Sequence, residues 1–333
     1  MNLRPTTQMP GPGLAYPGAI AVIVMTLPLH STAQDYPAKP IRLVVPYAPG
    51  GGMDLLMRPV AQRLAQIVGQ AVVVDNRAGA TGIIGADAVA KAPPDGYTIL
   101  AAFASHYLQK FVSKNEPYDA VNDFVPVTQV AKSPNMIVLH PSVPAHTVTE
   151  LVAHAKKQAG GMSFVTAGTL SSQHVSALLL THMTGAHFEH VAYKGGGPAM
   201  IDLLAGQVPM GVLIMGTVMP QIKAGKLRPI AVVERARAAA LPDVPTIGES
   251  VPGYAMPDIW AGFLAPRGTP AAVVNRLYKS VQQAIQSPEV RERLDAGGYE
   301  LLPGVSPQRF AAIIRESVAI YRNVAADAGV KPQ

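Results

Sequence analysis

The chain has 333 residues, of which 49% are hydrophobic and 14% charged, enough apolar material for a large core and too little charge for a disordered chain. At roughly 100 to 200 residues per domain, two domains are predicted. Basic residues exceed acidic ones by 27 to 21, without a basic block or interleaved aromatics, which argues against nucleic acid and leaves a mild positive field suited to an anionic ligand. The absence of cysteine excludes a lipoprotein anchor, disulfides and thiolate metal sites.

Arg4 is the only charged residue ahead of an apolar run from Leu14 to Leu29, and Ser31-Thr32-Ala33 supplies the small residues a signal peptidase reads. Residues 1–33 therefore read as a secretory leader cleaved after Ala33, although Pro17 and Pro28 suit a spanning helix poorly. No later segment has the eighteen or so apolar residues that a membrane span needs.

Ile41 to Val45 predicts a strand, which breaks at Pro46-Tyr47-Ala48-Pro49-Gly50-Gly51-Gly52-Met53-Asp54 and opens a helix with apolar residues at Leu56, Val60, Leu64 and Ile67. A glycine turn with a helix start behind it lets backbone N–H groups point at an anion. The same grammar also fits plain strand-to-helix punctuation. A P-loop is excluded because Met53-Asp54 stands where Lys-Ser or Lys-Thr is required, and the dinucleotide fingerprint because the glycines are contiguous. A small-anion cradle remains, most naturally for a carboxylate. Met53 brings no hydroxyl, so binding is expected through the N–H groups of Gly51, Gly52 and Met53, with Asp54 as helix cap.

Ala71 to Val74 predicts a second strand, Asp75 to Gly82 a loop, Ile83 to Ala90 a helix stopped by Pro93-Pro94-Asp95-Gly96, and Tyr97 to Leu100 a third strand. This alternation predicts a parallel sheet covered on both faces, with ligands at the carboxyl ends of its strands. Met162 to Thr166 is a further strand running into Ala167-Gly168-Thr169-Leu170-Ser171-Ser172-Gln173-His174, where hydroxyls and amides before a helix again suit an anion. Ser171 or Ser172 would equally serve as a cap. Tyr193 to Pro198 repeats the pattern with Lys194 and Gly195; Lys194 either supplies charge or sits in solvent.

Enzyme readings are weak. No G-x-S-x-G elbow surrounds Ser171, Ser172 and His174, and the spacing of His182, His187 and His190 matches no zinc motif, so neither catalytic nor metal residues nor a cofactor are assigned. Trp260 is expected in a core rather than in a cleft.

Tyr36-Pro37-Ala38-Lys39-Pro40-Ile41-Arg42, the Pro-Tyr-Ala-Pro-Gly-Gly-Gly turn, Asp75-Asn76-Arg77, Ala90-Lys91-Ala92-Pro93-Pro94-Asp95-Gly96-Tyr97 and Asp123-Phe124-Val125-Pro126-Val127 resemble the Bug family of tripartite tricarboxylate transporter receptors. So do Tyr193-Lys194-Gly195-Gly196-Gly197-Pro198-Ala199, Ile222 to Arg228, Leu241 to Thr246 and Leu264 to Pro270. The resemblance implies an α/β, two-lobed periplasmic-binding-protein fold of type II, a Venus flytrap closing on a carboxylate. It also implies a periplasmic location, a monomer, and as partner either membrane permease subunits or, alternatively, a sensor kinase.

On this reading residues 34–130 and 233–333 form lobe one and 131–232 lobe two, with crossings near Val127 to Ala131 and Ile230 to Glu234. The expected ligand residues are Tyr47, Ala48, Gly50, Gly51, Gly52, Met53 and Asp54 of the first turn, Ser105 and His106, then Ala167, Gly168, Thr169, Ser171, Ser172, Lys194 and Gly195. Three features depart from the family: Met53 replaces a hydroxyl residue, Phe103 to Leu108 replaces a threonine- and glycine-rich run, and Val208 to Ile214 lacks an acid. The missing acid argues against an amino-acid ligand, whose ammonium would need it.

Overall fold

The computed structural model describes residues 1–9, 11, 36–114 and 116–330; the apolar run of the expected leader and its cleavage point lie outside the described residues. From Ile41 the chain forms β1 (Ile41–Val45), α1 (Gly52–Val68), β2 (Val72–Asn76), α2 (Ile83–Ala90), β3 (Thr98–Phe103), α3 (Gln109–Val112) and β4 (Phe124–Lys132). It then enters a second sheet as β5 (Asn135–Leu139), followed by α4 (Val148–Lys156), β6 (Met162–Thr166), α5 (Ser172–Thr184), β7 (Phe188–Ala192), α6 (Gly196–Leu204), β8 (Met210–Ile214), α7 (Met215–Lys223) and β9 (Arg228–Val232). After α8 (Ile247–Ser250) it returns with β10 (Trp260–Pro266), α9 (Ala271–Ile285), α10 (Pro288–Ala296), β11 (Glu300–Leu301) and α11 (Pro307–Asp327).

The two sheets have the orders β11-β4-β10-β3-β1-β2 and β7-β6-β8-β5-β9. Neither is purely parallel, contrary to what the strand–helix alternation predicted. Strands joined by βα units pair in parallel, β1 with β2 and β3, and β6 with β7 and β8. The strand arriving from the other sheet is inserted antiparallel: β10 between β3 and β4, and β5 between β8 and β9. A right-handed crossover constrains only strands linked within one sheet, so an incoming strand is free to take the opposite direction.

The first exchange occupies Ser133 and Pro134. The second is longer than expected, because α8 still contacts α4 and the chain rejoins the first sheet only at Trp260. The two passages are tied together: Ser133 N–H donates to Ile259 O at 3.2 Å, Val233 N–H to Asn135 O at 3.0 Å, and Asn135 N–H to both carboxylate oxygens of buried Glu234 at 3.0 Å. Asn135 also reaches the start of α5, accepting from Gln173 Nε2 at 3.0 Å.

In the first lobe α1 presents Leu56, Val60 and Leu64 to the core, leaves Leu55 outside, and ends at Gly69, whose φ of 70° needs glycine. Trp260 is buried as expected; its Nε1–H donates to Ser317 Oγ at 2.9 Å and its ring meets Phe310 edge-on at 4.9 Å.

Candidate functional site

The glycine turn between β1 and α1 is held from below by Asp54. Its buried carboxylate accepts from Gly50 N at 3.0 Å, Asn76 Nδ2 at 2.9 Å and Arg58 Nε at 2.8 Å. Burial pushes the Asp54 carboxyl up, but hydrogen bonds from Arg58, Gly50 and Asn76 outweigh it and hold it below the usual carboxylate range. Asp54 is therefore not the N-cap expected from sequence: it is the third residue of α1 and bonds back to Gly50, ahead of the helix, because the glycine turn places the N-cap at Gly51, which has no side chain to offer. Both oxygens are engaged, and Asp54 acts on the turn rather than on a cavity. Gly51 occupies the N-cap of α1, and the Met53 side chain packs in the core of the first lobe.

Above this turn the first residues of four helices meet at one cavity: Gly52 and Met53 of α1, Ser172 and Gln173 of α5, Gly196 of α6, and Thr217 of α7, whose N-cap Ile214 also lines it. Each helix leaves its leading N–H groups without an intrahelical partner and carries about half a positive charge at that end. Tyr47, Phe103, Ser105, Ala167, Ser171, Leu213 and Ile259 complete the walls, and none of these side chains is charged. The cavity has a volume of about 20 Å³, so the lobes are drawn together around room for little more than one water. Burial pushes the Tyr47 hydroxyl up to about 12, against a hydrogen bond with Ser105.

The lobes meet on backbone acceptors of the second lobe, reached by one backbone and two side-chain donors of the first. Ala48 N–H donates to Lys194 O at 3.2 Å, and Gln109 Nε2 to Leu170 O at 3.1 Å. A Cβ at Gly197 would lie 2.5 Å from Pro49 O, and one at Gly195 would lie 3.0 Å from Ala48 N. Ala80 and Thr81 adopt φ of 45° and 52°, uncommon for residues with a Cβ, and from there Thr81 Oγ1 donates to Thr169 O at 2.6 Å. A second, more open space of about 220 Å³ lies at this mouth, between the Gly79–Gly82 loop and Gly168, Thr169, Tyr193 and Lys194.

The loop before α5 rests on two stacked histidines. The rings of His174 and His190 are 3.7 Å apart; His174 Nδ1 accepts from Leu170 N–H at 3.0 Å, and His190 Nε2 bonds Thr166 Oγ1 at 2.7 Å. Ser171 caps α5 by accepting from the backbone N–H of His174 at 3.3 Å, so serine and imidazole form no catalytic pair. His106, His174 and His190 are lowered to about 4, chiefly by burial, with repulsion from a charged His174 contributing at His190. Their folded values lie below the unfolded value near 6.5, so as pH falls the unfolded chain takes up protons that the folded chain refuses. Stability contributed by these neutral rings is complete above about pH 6.5 and drains as pH falls toward about 4. Melting temperature measured against pH is expected to decline across this window, and His190→Gln to flatten the decline; a pH-independent melting temperature there would contradict it.

Of the residues expected from sequence, Tyr47, Gly51, Gly52, Met53, Ser105, Ala167, Ser171 and Ser172 are brought to the inner cavity, and Gly168, Thr169 and Lys194 to the mouth. Ala48, Gly50 and Gly195 lie in loop-to-loop contact between the lobes, and His106 lines a separate space behind Tyr47. Thr217, Gln173 and the Gly79–Gly82 loop were missed. Only the last carried a signal, two glycines flanking a threonine between a strand and a helix.

The profile of the TctC family, described as the tripartite tricarboxylate transporter family receptor, matches residues 56–329. The chain belongs to this receptor family. The receptor is similar to the periplasmic binding protein BugD, at 35% identity and a TM-score of 0.85, over 90% of this chain and 100% of that one. It is similar to an R. palustris protein solved with adipate, at 34% identity and TM-score 0.85, over 90% and 100% of the two chains. MatC from Rhodopseudomonas palustris, solved with malate, matches at 28% identity and TM-score 0.82 over 87% of the receptor and 99% of MatC. The receptor thus has the two-lobed fold of periplasmic binding proteins, and its family is that read from the sequence motifs.

Proposed function

We propose that this receptor is exported to the periplasm with its leader cleaved after Ala33, closes on a small carboxylate-bearing metabolite, and delivers it to the membrane permease subunits of a tripartite tricarboxylate transporter. The observation that carries this reading is the meeting of four helix N-termini at a cavity without a charged side chain. Such a site neutralises an anion through oriented N–H dipoles and rejects cations, which would find no counter-charge. The carboxylate is held by N–H groups of Gly51, Gly52 and Met53 from one lobe and by the start of α5 and the Ser171 hydroxyl from the other, while Lys194 at the mouth attracts the incoming charge. The adipate and malate seen in the two R. palustris relatives are of this chemical class.

Thermal melting with adipate, malate and other small carboxylates is the direct test. A ligand at about 100 times its Kd adds about 2.7 kcal/mol of stability, so at least one carboxylate is expected to raise the melting temperature while its uncharged diamide does not. Equal shifts with acid and amide, or none with any carboxylate, would overturn the reading.

A further inference from the structure

Behind Tyr47, away from the helix N-termini, lies a small space of about 10 Å³ whose walls include Phe103, His106, Gln109 and Tyr118. Among the described residues, two polar atoms on these walls are buried without a partner: His106 Nε2 and the Tyr118 hydroxyl, on residues only 8% and 7% exposed. Their rings stack at 5.6 Å with an interplanar angle of 5°. Buried polar groups in folded proteins are nearly always satisfied, so two orphans on one cavity wall point to a group that arrives from outside. Tyr47 lines this space, the inner cavity and the mouth, and so stands as the wall between them.

We propose that this space is a specificity subsite that receives the end of the ligand remote from its carboxylate, and that it selects an uncharged hydroxyl there. The inference rests on the receptor reading above. Burial keeps His106 neutral, and its unpartnered Nε2 is an acceptor in the tautomer that carries the proton on Nδ1. Tyr118 OH can donate. A hydroxyl satisfies both, donating to His106 and accepting from Tyr118, whereas a methyl group satisfies neither. A second carboxylate is disfavoured: no wall residue is cationic, and the acidic groups acting on Tyr118 are Glu116, which burial raises to about 7, and Asp87. The preferred class is a carboxylic acid with a hydroxyl at its far end.

Calorimetry on the mature wild-type receptor would compare three sets: 3-hydroxypropanoate, propanoate and malonate; 4-hydroxybutanoate, butanoate and succinate; 6-hydroxyhexanoate, hexanoate and adipate. At the length that spans both sites, the hydroxy acid is expected to bind about tenfold more tightly than both counterparts, the worth of one or two net hydrogen bonds. His106→Phe and Tyr118→Phe are expected to collapse that ratio toward one. Binding of acids or diacids with no hydroxyl preference at any length would overturn the subsite and leave the receptor reading standing. A preference that survives both substitutions would overturn it as well. Binding of none of the nine compounds would overturn the subsite, and the receptor reading with it if no other carboxylate raises the melting temperature.

Discussion

Gly197→Ala is expected to leave each lobe folded and to prevent them from closing. Gly197 sits in the first turn of α6 without a left-handed φ, so alanine fits the local backbone and suits a helix better than glycine. Its added Cβ, however, would lie 2.5 Å from Pro49 O and 3.2 Å from Gly50 C on the facing lobe, and a backbone cannot yield as a flexible side chain does. Overpacking of this kind costs about 1 to 3 kcal/mol, and here the cost falls on the closed state alone. A ligand shifts a conformational equilibrium only by its preference for one state, so the same energy is subtracted from binding. Affinity for a stabilising carboxylate is expected to fall roughly five- to 150-fold, with the melting temperature of the free protein unchanged. Scattering should lose the ligand-induced contraction that the wild type shows. Gly160→Ala, where an added Cβ meets nothing within 4 Å, serves as the control. A Gly197→Ala protein that binds and contracts as the wild type does would show that these loops do not meet in the bound state.

Asp54→Ala is expected to lose stability and affinity together. The change strands Gly50 N–H, Asn76 Nδ2 and the Arg58 guanidinium, all of which converge on a carboxylate whose side chain is 4% exposed. Hydrogen bonds to a charged group are worth about 1.5 to 3 kcal/mol each and do not add simply, so a loss of about 3 kcal/mol is expected on denaturant unfolding. Asp54→Asn should lose less, since its amide oxygen can still accept from Gly50. Affinity falls because the Gly50–Gly52 turn is no longer held against α1. The opposite outcome is equally specific: were Asp54 facing the ligand, removing its negative charge would tighten carboxylate binding and leave stability untouched. That result would overturn the positioning role.

The parts of this receptor legible in its sequence are those encoded over a few consecutive residues. Hydrophobic spacing at Leu56, Val60 and Leu64, glycines after Val45 and before Ala199, and hydroxyls after Thr166 each specify strand, turn and helix locally, because 3.6-residue periodicity and left-handed turns are properties of neighbouring residues. The family motifs rest on the same punctuation. Tertiary structure alone decided what those turns face. Nothing local directs Met53 into the core, brings Asn76 to Asp54 across 22 positions, or inserts β5 and β10 antiparallel. The meeting of four helix starts depends on two sheets exchanging strands, and the backbone contact between Pro49 and Gly197 on the closure of one lobe against the other. His106 shows the same limit: the family resemblance places it among the ligand residues, but only the packing of Tyr47 and Tyr118 around it leaves Nε2 without a partner among the described residues. A side chain's periodicity states which face it lies on, while its partner is fixed by contacts distant in sequence, and the specificity of this cleft is built from those contacts.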